Sequence, residues 1–261
     1  MRRITILLLI LYALLTAYPL VSLALGASPM GIMTPITTLA GFTFALVHAC
    51  QREGWERALR LLALVFGVSL LFESVGVATG LIYGPYHYTD KLGPLFLGLV
   101  PILIPVAWFM MSYPSFVIAD WLVPAGWKRW LRLLAVAAVG GLAMTAWDLV
   151  MDPVMVAGGH WVWETDGAYF GIPLQNYWGW WLTTFSVFLV NGLVTRRNGG
   201  QARGQDDRLA VASYIITGLS GILVCLDPDA ITQLGGAALA GFFAMSPWAL
   251  MGWMKAGGDL I

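Results

Sequence analysis

Asp148 and Asp152 stand four residues apart in the run Trp147-Asp148-Leu149-Val150-Met151-Asp152-Pro153, inside an otherwise apolar stretch. On a helix that spacing stacks the two side chains on one face. Two acids stacked in an apolar setting repel when both are ionised, so one keeps its proton while the other is a carboxylate. That pairing is what general acid–base chemistry requires. Two other readings stand beside it. An Asp-x-x-x-Asp pair can hold Mg²⁺ through its oxygens. Alternatively the acids only cap and solvate a helix end, since Pro153 predicts that the helix ends or kinks there.

Glu73 is a third acid, some fourteen residues into another apolar run. Gly76, Gly80 and Gly84 follow it on nearly the same helical face, and small residues at that spacing let helices approach closely. Glu73 is therefore expected to point at the interior of a bundle, as a functional acid or as a structural contact. Asp120 reads as an interface residue near Lys128 and Arg129.

Two polar, aromatic connections accompany these acids. One runs Tyr83-Gly84-Pro85-Tyr86-His87-Tyr88-Thr89-Asp90; the other runs from His160 through Trp161, Trp163, Glu164 and Asp166 to Gln175, Asn176, Tyr177 and Trp178. Their rings can form an interfacial belt, and Trp180 and Trp181 are read that way. The 13 tryptophans exceed what anchoring needs, however. An acid flanked by indole faces is a setting in which a carbocation can be made and held. His160-x-x-x-Glu164 is a weak metal pair, with no third His or Cys nearby.

The elements that position these groups are transmembrane helices. The chain has 261 residues, 59% hydrophobic and only 11% charged, with a mean hydropathy of +0.78. So few charges cannot cover a water-facing surface of this size, and the long unbroken apolar runs read as helices rather than as a β-barrel. Candidate spans are 4–26, 32–49, 59–83, 94–123, 131–156, 177–195, 209–226 and 230–253. The second is the weakest, and seven spans is the competing count. Lys91 is the one basic residue in the alternate connections; the other 13 of 14 fall on one side. That side is read as cytoplasmic, with both termini there. The fold expected is an all-α polytopic bundle, a single integral membrane domain over 1–261. Ala24-Leu25-Gly26-Ala27 resembles a signal cleavage site, but the apolar run before it is long, and it is read as a span. Arg196 to Arg208 reads as a flexible surface loop. Cys50 and Cys225 fall at opposite membrane faces and are expected to stay unpaired.

The sequence also excludes classes. Three histidines cannot fill the two metal sites of a membrane di-iron enzyme. No dinucleotide-binding glycine motif or Walker loop is present. Every lysine sits at a span end, which argues against a retinal protein. Zero net charge gives no reason to expect nucleic acid.

The run Phe72-Glu73-Ser74-Val75-Gly76-Val77-Ala78-Thr79-Gly80, continued by Tyr83-Gly84-Pro85-Tyr86-His87-Tyr88, resembles the carotenoid biosynthesis membrane proteins that include the carotenoid 1,2-hydratases. Val100-Pro101-Ile102 with Pro105 and Trp108, Trp147 to Pro153, and Gly159-His160-Trp161-Val162-Trp163 add to the likeness, which covers about residues 60 to 195. The resemblance implies addition of water across the terminal 1,2 double bond of an acyclic carotenoid end, as in lycopene, γ-carotene or bisanhydrobacterioruberin. The product is a tertiary alcohol, formed without redox chemistry, cofactor or metal, by a multi-pass protein of the cell membrane. Asp148 and Asp152 are then the expected acid–base pair and Glu73 a third partner or alternate acid. His87, His160 and Glu164 become proton relays to the surface. Tyr83, Tyr86, Trp147, Trp161 and Trp163 are candidates for binding the substrate and holding its cation. Expected partners are the apolar substrate, membrane lipid and other carotenoid-pathway enzymes. A Mg²⁺-dependent membrane prenyltransferase, a proton-coupled transporter and a pigment-binding structural protein are the alternatives.

Overall fold

Each apolar run closes into a helix, because in a bilayer core only internal hydrogen bonding satisfies the backbone. The computed structural model describes residues 2–27, 30–195, 204, 206–228 and 231–257. Among them are eight helices: α1 (Arg2–Ala24), α2 (Met33–Glu53), α3 (Trp55–Thr79), α4 (Leu103–Leu122), α5 (Arg129–Ala157), α6 (Leu174–Val194), α7 (Asp207–Cys225) and α8 (Ile231–Ala256). Seven are long and apolar enough to cross a membrane; α6, whose first turns carry Gln175, Asn176 and several rings, is outside that set. The weakest expected span, α2, is within it. Most of the expected loop Arg196–Arg208 lies outside the described residues.

α4 is the central helix. It packs against α2, α3, α5, α7 and α8, and Trp108 to Asp120 is buried without a break. A helix that is apolar all round has this fate. Its start differs from the sequence expectation. Residues 94–102 do not extend the helix but form a small hairpin of β2 (Leu95–Phe96) and β3 (Val100–Pro101). Gly93 and Gly98 at positive φ turn the chain there, so hydropathy alone overextends the span. The other two strands, β1 (Tyr86–Tyr88) and β4 (Trp161–Trp163), pair antiparallel across the α3–α4 and α5–α6 connections.

The helices alternate in direction, and side chains tie both ends. At the basic end, Arg52 of α2 meets Asp120 of α4 at 2.6 Å and Asp207 of α7 at 3.0 Å. Arg132 of α5 also binds Asp120. Arg2 of α1 reaches Asp206 at 2.8 Å, and Arg208 donates to the Trp253 carbonyl of α8. Asp120 is thus fully buried between Arg52 and Arg132, rather than an interface residue near Lys128 and Arg129. The cause is the register of α2, which brings Arg52 level with the end of α4. At the opposite, aromatic end the β1–β4 pairing joins the two polar connections. Cys50 and Cys225 are both free thiols, as expected.

Two local expectations are corrected. Gly76, Gly80 and Gly84 do not line a helix–helix contact. Gly76 leaves room for the Tyr83 ring, 2.6 Å from where a Cβ would stand, and Gly80 is the left-handed cap that ends α3. Close helix approach occurs instead at Gly140 and Gly141 of α5, where a Cβ would meet Phe188 and Trp181 of α6. Pro153 does not end α5, which continues to Ala157. Proline removes the donor to the Leu149 carbonyl, and the Tyr169 hydroxyl supplies one at 2.7 Å.

Candidate active site

The β1–β4 ribbon builds one wall. Tyr86 faces Trp163 and Tyr88 faces Trp161 across the ladder. Strand alternation sends these four rings inward and leaves His87 and Val162 exposed. Tyr86 packs on Trp163 with centroids 4.9 Å apart, and Tyr88 meets Trp161 edge-on at 5.8 Å. The ladder extends through Thr89 to the His160 carbonyl and from Glu164 to the Pro85 carbonyl. Lys91 caps the end of α5 by donating to the Gly158 carbonyl at 2.7 Å.

Glu73, on the last turns of α3, lies beneath this ribbon and is almost wholly buried. The Tyr86 hydroxyl donates to its Oε2, the Tyr88 hydroxyl does so at 2.9 Å, and the Trp108 indole N–H donates to Oε1 at 3.0 Å. Burial first, and then the neighbouring Glu73 charge, push the Tyr86 and Tyr88 phenols well above their ordinary range. Both therefore remain O–H donors. Tyr83, raised in the same way, bonds Thr183 of α6 at 2.8 Å and closes the floor.

Asp148 and Asp152 lie on the same face of α5, both fully buried. Asn176, near the start of α6, joins them: its Nδ2 donates to Asp148 Oδ2 at 2.8 Å and to Asp152 Oδ2 at 2.7 Å. Trp161 donates to Asp152 Oδ1 at 2.7 Å. Gln175 fixes the start of α6 by donating to the carbonyls of Gly80 and Leu81 at the end of α3.

Glu73 and Asp152 open on one cavity of about 130 Å³. Tyr83, Tyr86, Trp147, Trp161 and Trp163 line it, together with Trp108, Trp180, Met151 and Met155. Asn176 reaches it; Asp148 does not. Trp180 stacks on Trp108 at 4.3 Å and meets Trp147 edge-on at 5.8 Å. Trp180 is thus part of the cavity rather than of an interfacial belt, because α6 packs tightly enough on α5 to turn that ring inward. Trp181 stacks between Trp178 and Phe185 on the other side.

The remaining candidates lie apart. His87 and Glu164 pair with each other at 3.3 Å on the surface, each 56% exposed. His160 is half-buried behind α5, with Nδ1 at 3.3 Å from the Met155 carbonyl. Burial lowers its pKa, the Met155 carbonyl raises it and Lys91 lowers it further; the net direction is down. None of the three lines the cavity. Among the described residues, no group of three or more His, Cys, Asp or Glu is placed to hold a metal ion.

Four contributors were not singled out from sequence. Tyr88 follows Tyr86 at the strand period of two, which was the available signal. Asn176 was an uncharged polar residue opening an apolar helix. Trp108 entered only through the family likeness, and Trp180 was read as part of an interfacial belt.

A polytopic helical membrane protein with a buried acid cluster inside an aromatic, apolar cavity is the class these features define. Residues 33–246, well over half of the chain, match the carotenoid biosynthesis protein family, and the chain belongs to that family. It is also similar to the bisanhydrobacterioruberin hydratase of Haloarcula japonica, at 38% identity over 135 residues. That match covers 51% of this chain and 44% of the relative, so the chain spans less than half the length of that relative. No solved structure matches the chain.

Proposed function

We propose that this protein is a carotenoid hydratase of the cell membrane, adding water across the terminal 1,2 double bond of an acyclic carotenoid end group. The observation that carries the reading is that Glu73 and Asp152 face one small cavity whose other walls are mostly aromatic or apolar, with Thr34, Thr38 and Asn176 the other polar side chains. Membership of the carotenoid biosynthesis family and the hydratase named among its relatives support the reaction class.

Cavity size argues for how the substrate sits. A hole of ~150 Å³ holds a ligand the size of benzene. The present 130 Å³ therefore admits one branched end unit and leaves the long polyene outside, against lipid or the apolar exterior. Tight binding needs no polar anchor on such a chain.

Buried side by side, Asp148 and Asp152 hold one proton between them. Asp152, the member at the cavity, gives it to C2. The double-bond electrons form the C2–H bond and leave a cation at C1. Two methyl groups and the faces of Trp108, Trp147 and Trp180 stabilise that cation. Water closes the C1–O bond and yields its proton to Glu73, whose three donors suit a carboxylate. A proton returns from Glu73 to the aspartate pair, and no electron acceptor is needed. His87, His160 and Glu164 serve at most as the outer end of that proton path.

The test is conversion by the purified protein in detergent, with EDTA and without a gradient. Bisanhydrobacterioruberin and lycopene are the substrates, and the pigments are analysed by mass. A gain of one or two waters is expected. Dependence on Mg²⁺ and a diphosphate would point to prenyl transfer. Bound pigment of unchanged mass would point to a carrier or structural protein.

A further inference from the structure

Asp148 is the one acid of the cluster that the cavity does not reach, and it has an unused oxygen. Its Oδ2 accepts from Asn176, while Oδ1 is fully buried and has no protein hydrogen-bond partner. Tyr177 follows Asn176 on α6. Its hydroxyl is likewise buried without a partner, and it lies within electrostatic reach of Asp148 first and Asp152 second. The Tyr177 ring packs edge-on against Tyr169 at 5.5 Å, and the Tyr169 hydroxyl bonds the Leu149 carbonyl, next to Asp148. Tyr169, in the connection between α5 and α6, thus ties the Tyr177 ring to the turn of α5 that carries Asp148.

Buried polar atoms that lack a protein partner are as a rule satisfied by ordered water. A carboxylate oxygen accepts; a phenol both donates and accepts. We propose that Asp148 Oδ1 and Tyr177 Oη bind a water molecule that is the waiting co-substrate, held on the side of the aspartate pair away from the substrate cavity. This rests on the hydratase reading and adds to it a separate route for water. The apolar substrate comes from lipid, and water comes from the aromatic end of the bundle. Free water is thereby kept out of the cavity until a cation exists to capture it.

The reaction then divides into two halves. In the first, the Asp152 O–H bond breaks, C2–H forms and a cation is left at C1. In the second, water forms the C1–O bond and loses its proton to Glu73. Alternatively, the Asp152 carboxylate takes a proton back from C2 and restores the alkene. In D₂O that return leaves deuterium at C2 of the unhydrated carotenoid. The ratio of this deuterium to hydrated product measures how well water is supplied.

Tyr177→Phe keeps the ring and removes one hydrogen bond to the water, which corresponds to about tenfold in occupancy. Hydration should fall by about tenfold, and the ratio of deuterium to hydrated product should rise by a similar factor. An unchanged ratio, whether both quantities fall together or neither falls, overturns the proposal. A second measurement needs no variant. Hydroxyl-radical footprinting of the wild-type protein in H₂¹⁸O should label Tyr177 early, from the bound water; an unlabelled Tyr177 overturns the site. If the wild type forms neither hydrated product nor deuterated carotenoid, the hydratase reading has failed, and the footprint still decides the water site.

Discussion

Replacing Glu73 by Gln separates a chemical acid from a structural one. Gln keeps the shape and removes the charge. The Trp108 indole can only donate, so the amide oxygen must turn to it. The NH₂ group then faces Tyr86 and Tyr88, whose hydroxyls can rotate to accept. All three contacts survive without charge assistance. Hydrogen bonds to a charged group contribute about 1.5–3 kcal/mol and neutral ones about 0.5–1.5 kcal/mol, so three bonds together lose about 3–4.5 kcal/mol. Against that stands the relief of not burying a charge, itself about several kcal/mol. The two nearly cancel, and the melting temperature should move by no more than about 4 °C. Hydration should fall about 10²–10⁴-fold, the contribution of a general base. The assay is hydrated carotenoid formed per folded protein, with deuterium counted in the recovered carotenoid. Near-normal turnover in Glu73→Gln would refute its role as base. Loss of deuterium uptake in Glu73→Gln, with uptake intact in Asp152→Asn, would show that the two acids have exchanged roles.

Asp152→Asn should abolish hydration and deuterium uptake together, because Asn is nearly isosteric but has no acidic proton; the two products are quantified in one mass analysis. Asp148→Asn should impair both by breaking the shared proton. Tyr169→Phe should lower stability by about 1–3 kcal/mol, measured by thermal unfolding, since it leaves the Leu149 carbonyl opposite Pro153 without a donor. Reporter fusions at Gly126, between α4 and α5, and at Asp166, between α5 and α6, should report opposite membrane faces; equal signals would contradict the alternation of the helices. Cys50 and Cys225 should each take up one maleimide after unfolding without reductant, as free thiols do.

The helices and their alternation were legible because apolar runs and basic connections are local signals. The hairpin at 94–102 was not, since Leu95-Phe96-Leu97 is as apolar as a helix and only the glycines around it set the turns. Glu73, Asp148 and Asp152 were legible as acids at bilayer depth. Which of them faces the cavity was not, because a face of α5 fixes direction only relative to that helix. Asp152 reaches the cavity and Asp148 does not, although Asn176 of α6 bonds both. The misreading of Gly76 has a similar origin. Spacing shows that space is needed on a face, and not whether a helix or a single ring fills it.

The partners of the buried acids divide them into two groups. Asp120 and Asp207, at the basic end, are held by Arg52, and Asp120 also by Arg132. A guanidinium fixes a carboxylate in its ionised form and makes it a poor proton donor. Glu73, Asp148 and Asp152 are bonded by phenols, indoles and one amide, all of them neutral donors. Under the proposed hydration, the acid that protonates the alkene has to be free to exchange its proton, and neutral partners allow that while still satisfying its oxygens. The charge asymmetry along the chain thus has two consequences. Basic residues at one end orient the helices and neutralise the acids there. Among the described residues, their near-absence from the other end leaves three buried acids without a cationic partner, two of them facing the cavity.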